Sequence, residues 1–180
     1  MAQTVTLLTA EDIEKLPSDL HCELIDGVLI EMSPPGNPHG RVVAKVTGAL
    51  LKAETMGLGQ VFGEGGFILR RGPDTVRAPD VSFFCTGRAL PTARRPAFWQ
   101  VAPDLVVEVV STWDTTAEIQ TKVRDWIEFG VRMVWVLYPD SRTVHVIRSL
   151  QERFTLTDQD TLDGGAVLPG FSCSVAELFD

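Results

Sequence analysis

The sequence predicts a single mixed α/β domain built on a central sheet, and three observations carry that prediction. Two near-continuous apolar runs, Asp80 to Phe84 and Leu105 to Val110, have the pattern of strands buried on both faces. A stretch with helical spacing between Thr115 and Gly130 follows the second run, giving a strand–helix–strand order. The 180 residues, 44% apolar and 22% charged, suffice for one sizeable core, so residues 1–180 are read as one domain.

The elements follow in order. Thr9 caps a short helix running toward Leu16. Cys22 to Met32 reads as a hairpin with Asp26-Gly27 as its tight turn. After the Pro34–Pro38 loop, Val42, Val43, Val46, Ala49 and Leu50 mark a helix from His39 to about Met56, closed by Gly57. Short strands are expected at Val61–Phe62 and Phe67–Leu69, around a glycine-rich turn. Glu64 in that turn is not part of a phosphate loop, because no Lys-Ser or Lys-Thr follows it. The segment from Cys85 to Pro103 is a long loop, and loops of that length in compact domains often carry function.

Thr115 with Glu118 forms a capping box for the next helix, whose buried stripe is Ile119, Val123, Trp126 and Ile127 and whose end is Gly130. Strands follow at Met133–Leu137, Val144–Ile147 and, as an edge, Arg153–Leu156. Pro169-Gly170-Phe171 leads to a short terminal helix through Leu178. His145, between Val144 and Val146, is expected on a solvated strand face, and Trp99 is expected in the core.

Charge narrows the function classes. The net charge of −8 argues against a general nucleic-acid coat protein. The sign inverts locally, however: Arg70, Arg71, Arg77, Arg88, Arg94 and Arg95 are opposed within their stretch only by Asp74 and Asp80. An anionic substrate would be drawn to Arg77, Arg88, Arg94 and Arg95; the plainer reading is that loop arginines are simply solvated. The three cysteines lack zinc-ligand or redox spacing and are read as ordinary buried thiols. No run reaches transmembrane length and the N-terminus lacks a signal-peptide pattern, so the expected location is cytoplasmic, with no membrane partner.

Three residues stand out chemically. Asp80 opens one core run, Glu108 interrupts the other, and Lys122 lies on the following helix. Burying a carboxylate without a partner is costly, and a metal ion held between Asp80 and Glu108 is the simplest reason to do so. If Val110 ends its strand, Glu108 sits about 7 Å below that end. Lys122, about seven residues into a helix packed back over the sheet, descends on the order of 10 Å. It stands about 60° from the centre of the apolar stripe, where its long side chain can slide along the sheet toward Glu108.

With these residues in view, the chain resembles the PD-(D/E)xK nuclease superfamily, and more closely the bacterial restriction-endonuclease-like proteins of the Uma-two family. The resemblance rests on Glu23-Leu24-Ile25-Asp26-Gly27, Ser33-Pro34-Pro35 with His39, Pro79-Asp80-Val81 and Glu108-Val109-Val110-Ser111. Lys122, Gly130-Val131, Trp135 and Leu168-Pro169-Gly170-Phe171 complete the series. It implies a restriction-endonuclease-like core, a mixed central sheet flanked by helices with an extra N-terminal hairpin. The superfamily's usual lysine position is Val110 here, and the resemblance moves that role to Lys122. Trp113, Trp126, Met133 and Tyr138 depart from the family's common pattern.

The resemblance implies a metal-dependent nuclease acting on phosphodiesters, with DNA the expected substrate. Asp80, Glu108 and the Val109 carbonyl would hold Mg²⁺ or Mn²⁺, and Lys122 would orient water or neutralise the phosphate. Glu23 and His39 are supporting candidates. Nucleases of this fold often pair to cut both strands, which implies a homodimer or higher homo-oligomer. The alternative is a non-catalytic binding or assembly protein on the same fold, favoured by the pI of about 4.9. A glycosidase using the two carboxylates is a weaker third reading.

Overall fold

The computed structural model describes residues 7–17, 20–91 and 98–180. Helix α1 (Ala10–Ile13) precedes the hairpin β1 (Cys22–Ile25) and β2 (Val28–Glu31). Asp26 (φ 49°) and Gly27 (φ 78°) both take positive φ in its two-residue turn, the conformation that matches the twist of paired strands. The hairpin is larger than expected, because β5 (Thr75–Arg77) and β4 (Phe67–Arg70) extend it to a four-stranded sheet of order β2-β1-β5-β4. Strand β5 was not anticipated. Its three residues, all buried, sit inside the arginine-rich stretch that the sequence presents as loop.

Helix α2 (Asn37–Thr55) begins two residues before its expected start, with Pro38 in the first turn, where a missing N–H costs nothing. Strand β3 (Gly59–Gly63) leads the chain to the second, six-stranded sheet of order β10-β9-β8-β7-β6-β3. The apolar runs supply its centre as β6 (Val81–Cys85), β7 (Leu105–Val109) and β8 (Met133–Tyr138). Strands β7 and β8 are parallel and joined through helix α3 (Thr116–Phe129), while the other pairs in this sheet are antiparallel. The capping box on Thr115 and the left-handed Gly130 (φ 105°) bound α3 as expected. Strands β9 (Thr143–Ile147) and β10 (Arg153–Leu156) complete the sheet, with β10 at the edge.

Alternation along β7 divides its side chains between two cores. Leu105, Val107 and Val109 join Val46, Leu50 and Trp135 on the α2 face. Val106 joins Ile119, Val123, Trp126 and Val134 on the α3 face. The α2 face also receives a hairpin that the sequence reading missed, β11 (Thr161–Gly164) with β12 (Leu168–Ser174), before helix α4 (Val175–Phe179). Its Gly164, Gly165, Pro169 and Gly170 interrupt the apolar alternation that marks a strand, and a bulge at Asp163/Gly164 shifts the register.

Phe67 of β4 stands edge-on to Trp126 of α3, with ring centroids 5.9 Å apart, and ties the small sheet to the large one. Trp99 packs edge-on to Phe62 and Phe84 as a core residue. His145 departs from expectation. It is half-buried, with its ring centroid 4.5 Å from that of Tyr138, rather than on a solvated face. The three thiols are free and only partly buried. Among the described residues no helix is long and apolar enough to cross a membrane.

Candidate active site

Strand pairing brings the two carboxylates together. Val81 lies opposite Val107 in the antiparallel β6–β7 pair, so continuing the register by one residue sets Asp80 across from Glu108. Asp80 Oδ2 accepts a hydrogen bond from the Val109 amide at 2.7 Å, which fixes the carboxylate over the end of β7. Glu108 points to the α3 face and is only 4% exposed; its Oε1 accepts from the Trp126 indole Nε1 at 2.6 Å. Glu108 thus spends one oxygen on a protein donor and keeps a second, whereas the other oxygen of Asp80 faces His39.

Lys122 reaches the same place from α3. Burial works against its ammonium, but the Glu108, Glu23 and Asp114 carboxylates outweigh that and hold its pKa above the ordinary value. Glu108 shows the complementary effect. Burial pushes its pKa up to about 8, Asp80 and Glu23 add to the rise, and Lys122 and the Trp126 hydrogen bond oppose it.

Glu23, on β1, is 6% exposed and accepts from Arg77 Nη1 at 2.6 Å. The other edge of the Arg77 guanidinium donates to Asp125 of α3, through Nε at 2.8 Å. Arg77 is thus a buried bridge between the small sheet and α3, not an open contact for an anion. Arg88 is also committed, to Asp104 at 3.1 Å. Arg70 pairs with Asp26, and Arg71 with Glu11 and Asp74. Arg70, Arg71, Arg77 and Arg88 are thus all paired with carboxylates, most of them from elsewhere in the chain, and Arg94 and Arg95 lie outside the described residues.

His39, in the first turn of α2, sets Nε2 3.3 Å from Asp80 Oδ1. Contact with Asp80 raises its pKa against partial burial, with Asp114 and the Val109 carbonyl adding to the rise. Its Nδ1 is buried without a partner. Beside it, His39, Val110, Ser111, Thr112, Tyr138 and Pro139 line a cleft of about 160 Å³.

The structure therefore gathers Asp80, Glu108, Lys122, Glu23 and His39, with the Val109 backbone among them. Three partners were missed. Trp126 is expected in the buried stripe of its helix but not as a donor to Glu108, and Asp125, next to it, carries no signal in the sequence of its buried partner Arg77. Asp114, whose Oδ2 accepts from the Ser111 amide at 2.7 Å, looked like an ordinary loop acid. Among the described residues, no three His, Cys, Asp or Glu side chains converge as a ready metal cage. Two carboxylates and a carbonyl would leave water to complete the coordination of a hard cation.

The sequence model of the Uma2 family, described as "Putative restriction endonuclease", matches residues 10–176. The chain belongs to the Uma2 family. A solved structure shares the fold of this Uma2 chain: a protein described as "a putative nuclease belonging to DUF820 from Anabaena variabilis ATCC 29413". The two superpose with a TM-score of 0.81 at 21% identity, over 96% of this chain and 97% of the other. No curated protein matches the Uma2 chain.

Proposed function

We propose that this Uma2 chain is a metal-dependent nuclease that hydrolyses phosphodiester bonds, with DNA as its substrate. The observation that carries the reading is the meeting of Asp80 and Glu108 across β6 and β7 with Lys122 from α3 above them. Asp80, Glu108 and the Val109 carbonyl are hard oxygen donors suited to Mg²⁺ or Mn²⁺. The fit is supported by the second oxygen of Glu108, which accepts from no protein donor among the described residues, and by Asp80 Oδ1, which faces only His39, at 3.3 Å. Bound there, a divalent cation would acidify a water and offset charge developing on phosphate.

The chain's own residues supply the rest. Lys122, held charged by its acidic neighbours, can orient the attacking water or meet the extra negative charge on the phosphate. Trp126 fixes the rotamer of Glu108 through the indole N–H. The Arg77 bridge holds Glu23 near Lys122, so Glu23 acts on the ammonium rather than on substrate. His39, favoured in its protonated form by Asp80, holds the Asp80 carboxylate in place beside the cleft. Arg94 and Arg95 are proposed phosphate contacts. A homodimer, which would set two such sites against two strands, belongs to the same reading.

One observation favours the second reading, a non-catalytic binding or assembly protein. The chain is acidic, with a pI of about 4.9, and the arginines from Arg70 to Arg88 are paired with carboxylates. One experiment separates the two. Mn²⁺ and Mg²⁺ binding is measured by calorimetry, and cleavage of single- and double-stranded DNA is followed, for wild type, Asp80→Asn with Glu108→Gln, and Lys122→Met. The nuclease reading expects metal binding lost in the carboxylate pair, and cleavage lost in both variants. Wild type that binds no metal at millimolar concentration would leave the assembly reading.

A further inference from the structure

A second cleft, of about 340 Å³, lies on the α3 face of the sheet. Helix α3 packs on that face through Ile119 and Val123, and the cleft runs from it to β9 and β10. The floor is apolar, made of Ile119, Val123, Val136 and Ile147, and its size lies within the range of about 300–1,000 Å³ usual for small-molecule sites. Tyr138 and His145, with ring centroids 4.5 Å apart, form an aromatic wall. Arg124 from α3 and Arg153 from β10 stand at the rim, both exposed. Neither has a carboxylate partner among the described residues, whereas Arg70, Arg71, Arg77 and Arg88 all do. Burial and the charge of Arg153 lower the pKa of His145, which favours its uncharged ring.

An apolar floor, an aromatic wall, side-chain amide and hydroxyl groups from Gln120 and Ser149, and two free guanidinium groups are the parts a nucleotide needs. The base would lie on the rings, and the phosphate would meet the arginines in the bidentate geometry that favours Arg. Tyr138 lines this cleft and also the cleft beside His39 and Ser111, so the two clefts share a wall. We propose that the cleft between α3 and β8–β10 binds one unstacked nucleotide of a single nucleic-acid strand that continues past Tyr138 to the candidate active site. The continuation to that site rests on the nuclease reading; the nucleotide pocket itself does not.

The test is equilibrium binding in EDTA, read by fluorescence anisotropy of a labelled oligothymidylate, with adenosine 5′-monophosphate as competitor. Wild type, Arg124→Gln with Arg153→Gln, and Tyr138→Leu are compared. The two arginines are exposed, so their replacement leaves the core intact. The expected result is binding weakened on the order of tenfold or more in the arginine double variant and in Tyr138→Leu. Competition by the mononucleotide, absent in the arginine variant, would show that the pocket takes the nucleotide itself. Oligonucleotide binding equal to wild type in the arginine double variant, or no saturable binding by wild type, would overturn the proposal. Cleft-dependent binding without Mn²⁺-dependent cleavage would instead keep the pocket and remove the nuclease reading.

Discussion

At the scale of single residues, the site is governed by how each buried charge is satisfied. Trp126 is the only protein hydrogen-bond donor to Glu108 among the described residues. Trp126→Phe keeps the ring packing but removes that donor, and is expected to lower stability by about 1–3 kcal/mol, measured by urea denaturation above pH 8. Glu108 sets a pH dependence of known sign. Its folded pKa is raised from 4.5 to about 8, so between those values the folded chain holds a proton that the unfolded chain has released. Stability in metal-free buffer should therefore fall as pH rises through that window. Glu108→Gln should flatten the slope, and thermal melts across the window check it. Arg77 is the most exacting case, a guanidinium between two buried carboxylates. Arg77→Met strands both, at an expected cost of roughly 3–5 kcal/mol in chemical denaturation.

At the scale of elements, position along strand and helix decides which groups meet. Strand β7 is buried over its whole length, yet its alternation sends Glu108 toward α3 and its neighbours Val107 and Val109 toward α2. A one-residue slip against β6 would exchange those faces, so the register that buries the apolar side chains also aims the acid. Helix α3 depends on its first turn, where Thr115 and Glu118 cap each other, with the Thr115 amide donating to Glu118 at 2.8 Å. Thr115→Ala should cost about 0.5–2 kcal/mol by the usual value of a cap. Because Lys122 rides on this helix, fraying should reduce cleavage more than it reduces metal binding. Parallel calorimetry and activity measurements on the variant separate those effects.

At the scale of the molecule, two sheets share α3. The small sheet contributes Glu23, Arg77 and Phe67, the large sheet contributes Asp80 and Glu108, and α3 contributes Lys122, Asp125 and Trp126. A cation bound only by the folded arrangement stabilises the whole chain by mass action. Millimolar Mn²⁺ is therefore expected to raise the melting temperature of wild type and to leave the variant carrying Asp80→Asn and Glu108→Gln unmoved, as read by differential scanning fluorimetry. An equal rise in both would place the cation elsewhere.

The sequence by itself determined the elements whose signals are local. The Asp26-Gly27 turn, the capping box at Thr115, the stop at Gly130 and the buried strands around Val81 and Val107 depend on neighbours within a few residues, and each formed as the pattern predicts. Asp80 and Glu108 could be singled out in the sequence because charge inside or beside an apolar run is costly, and Lys122 through the family resemblance. Only the tertiary structure decided the partners. Strand β5 is three residues long and carries no period of its own; it exists because β1 and β4 complete its hydrogen bonds. The β11–β12 hairpin holds its place through contacts with α2 and α4 across a bulge. Arg77 looked like a loop cation because its two acids lie 54 and 48 residues away in the chain. Long-range pairing of charge leaves no periodic trace in sequence, since an arginine in a salt bridge and an arginine in water are the same letter until the fold brings a carboxylate to one of them.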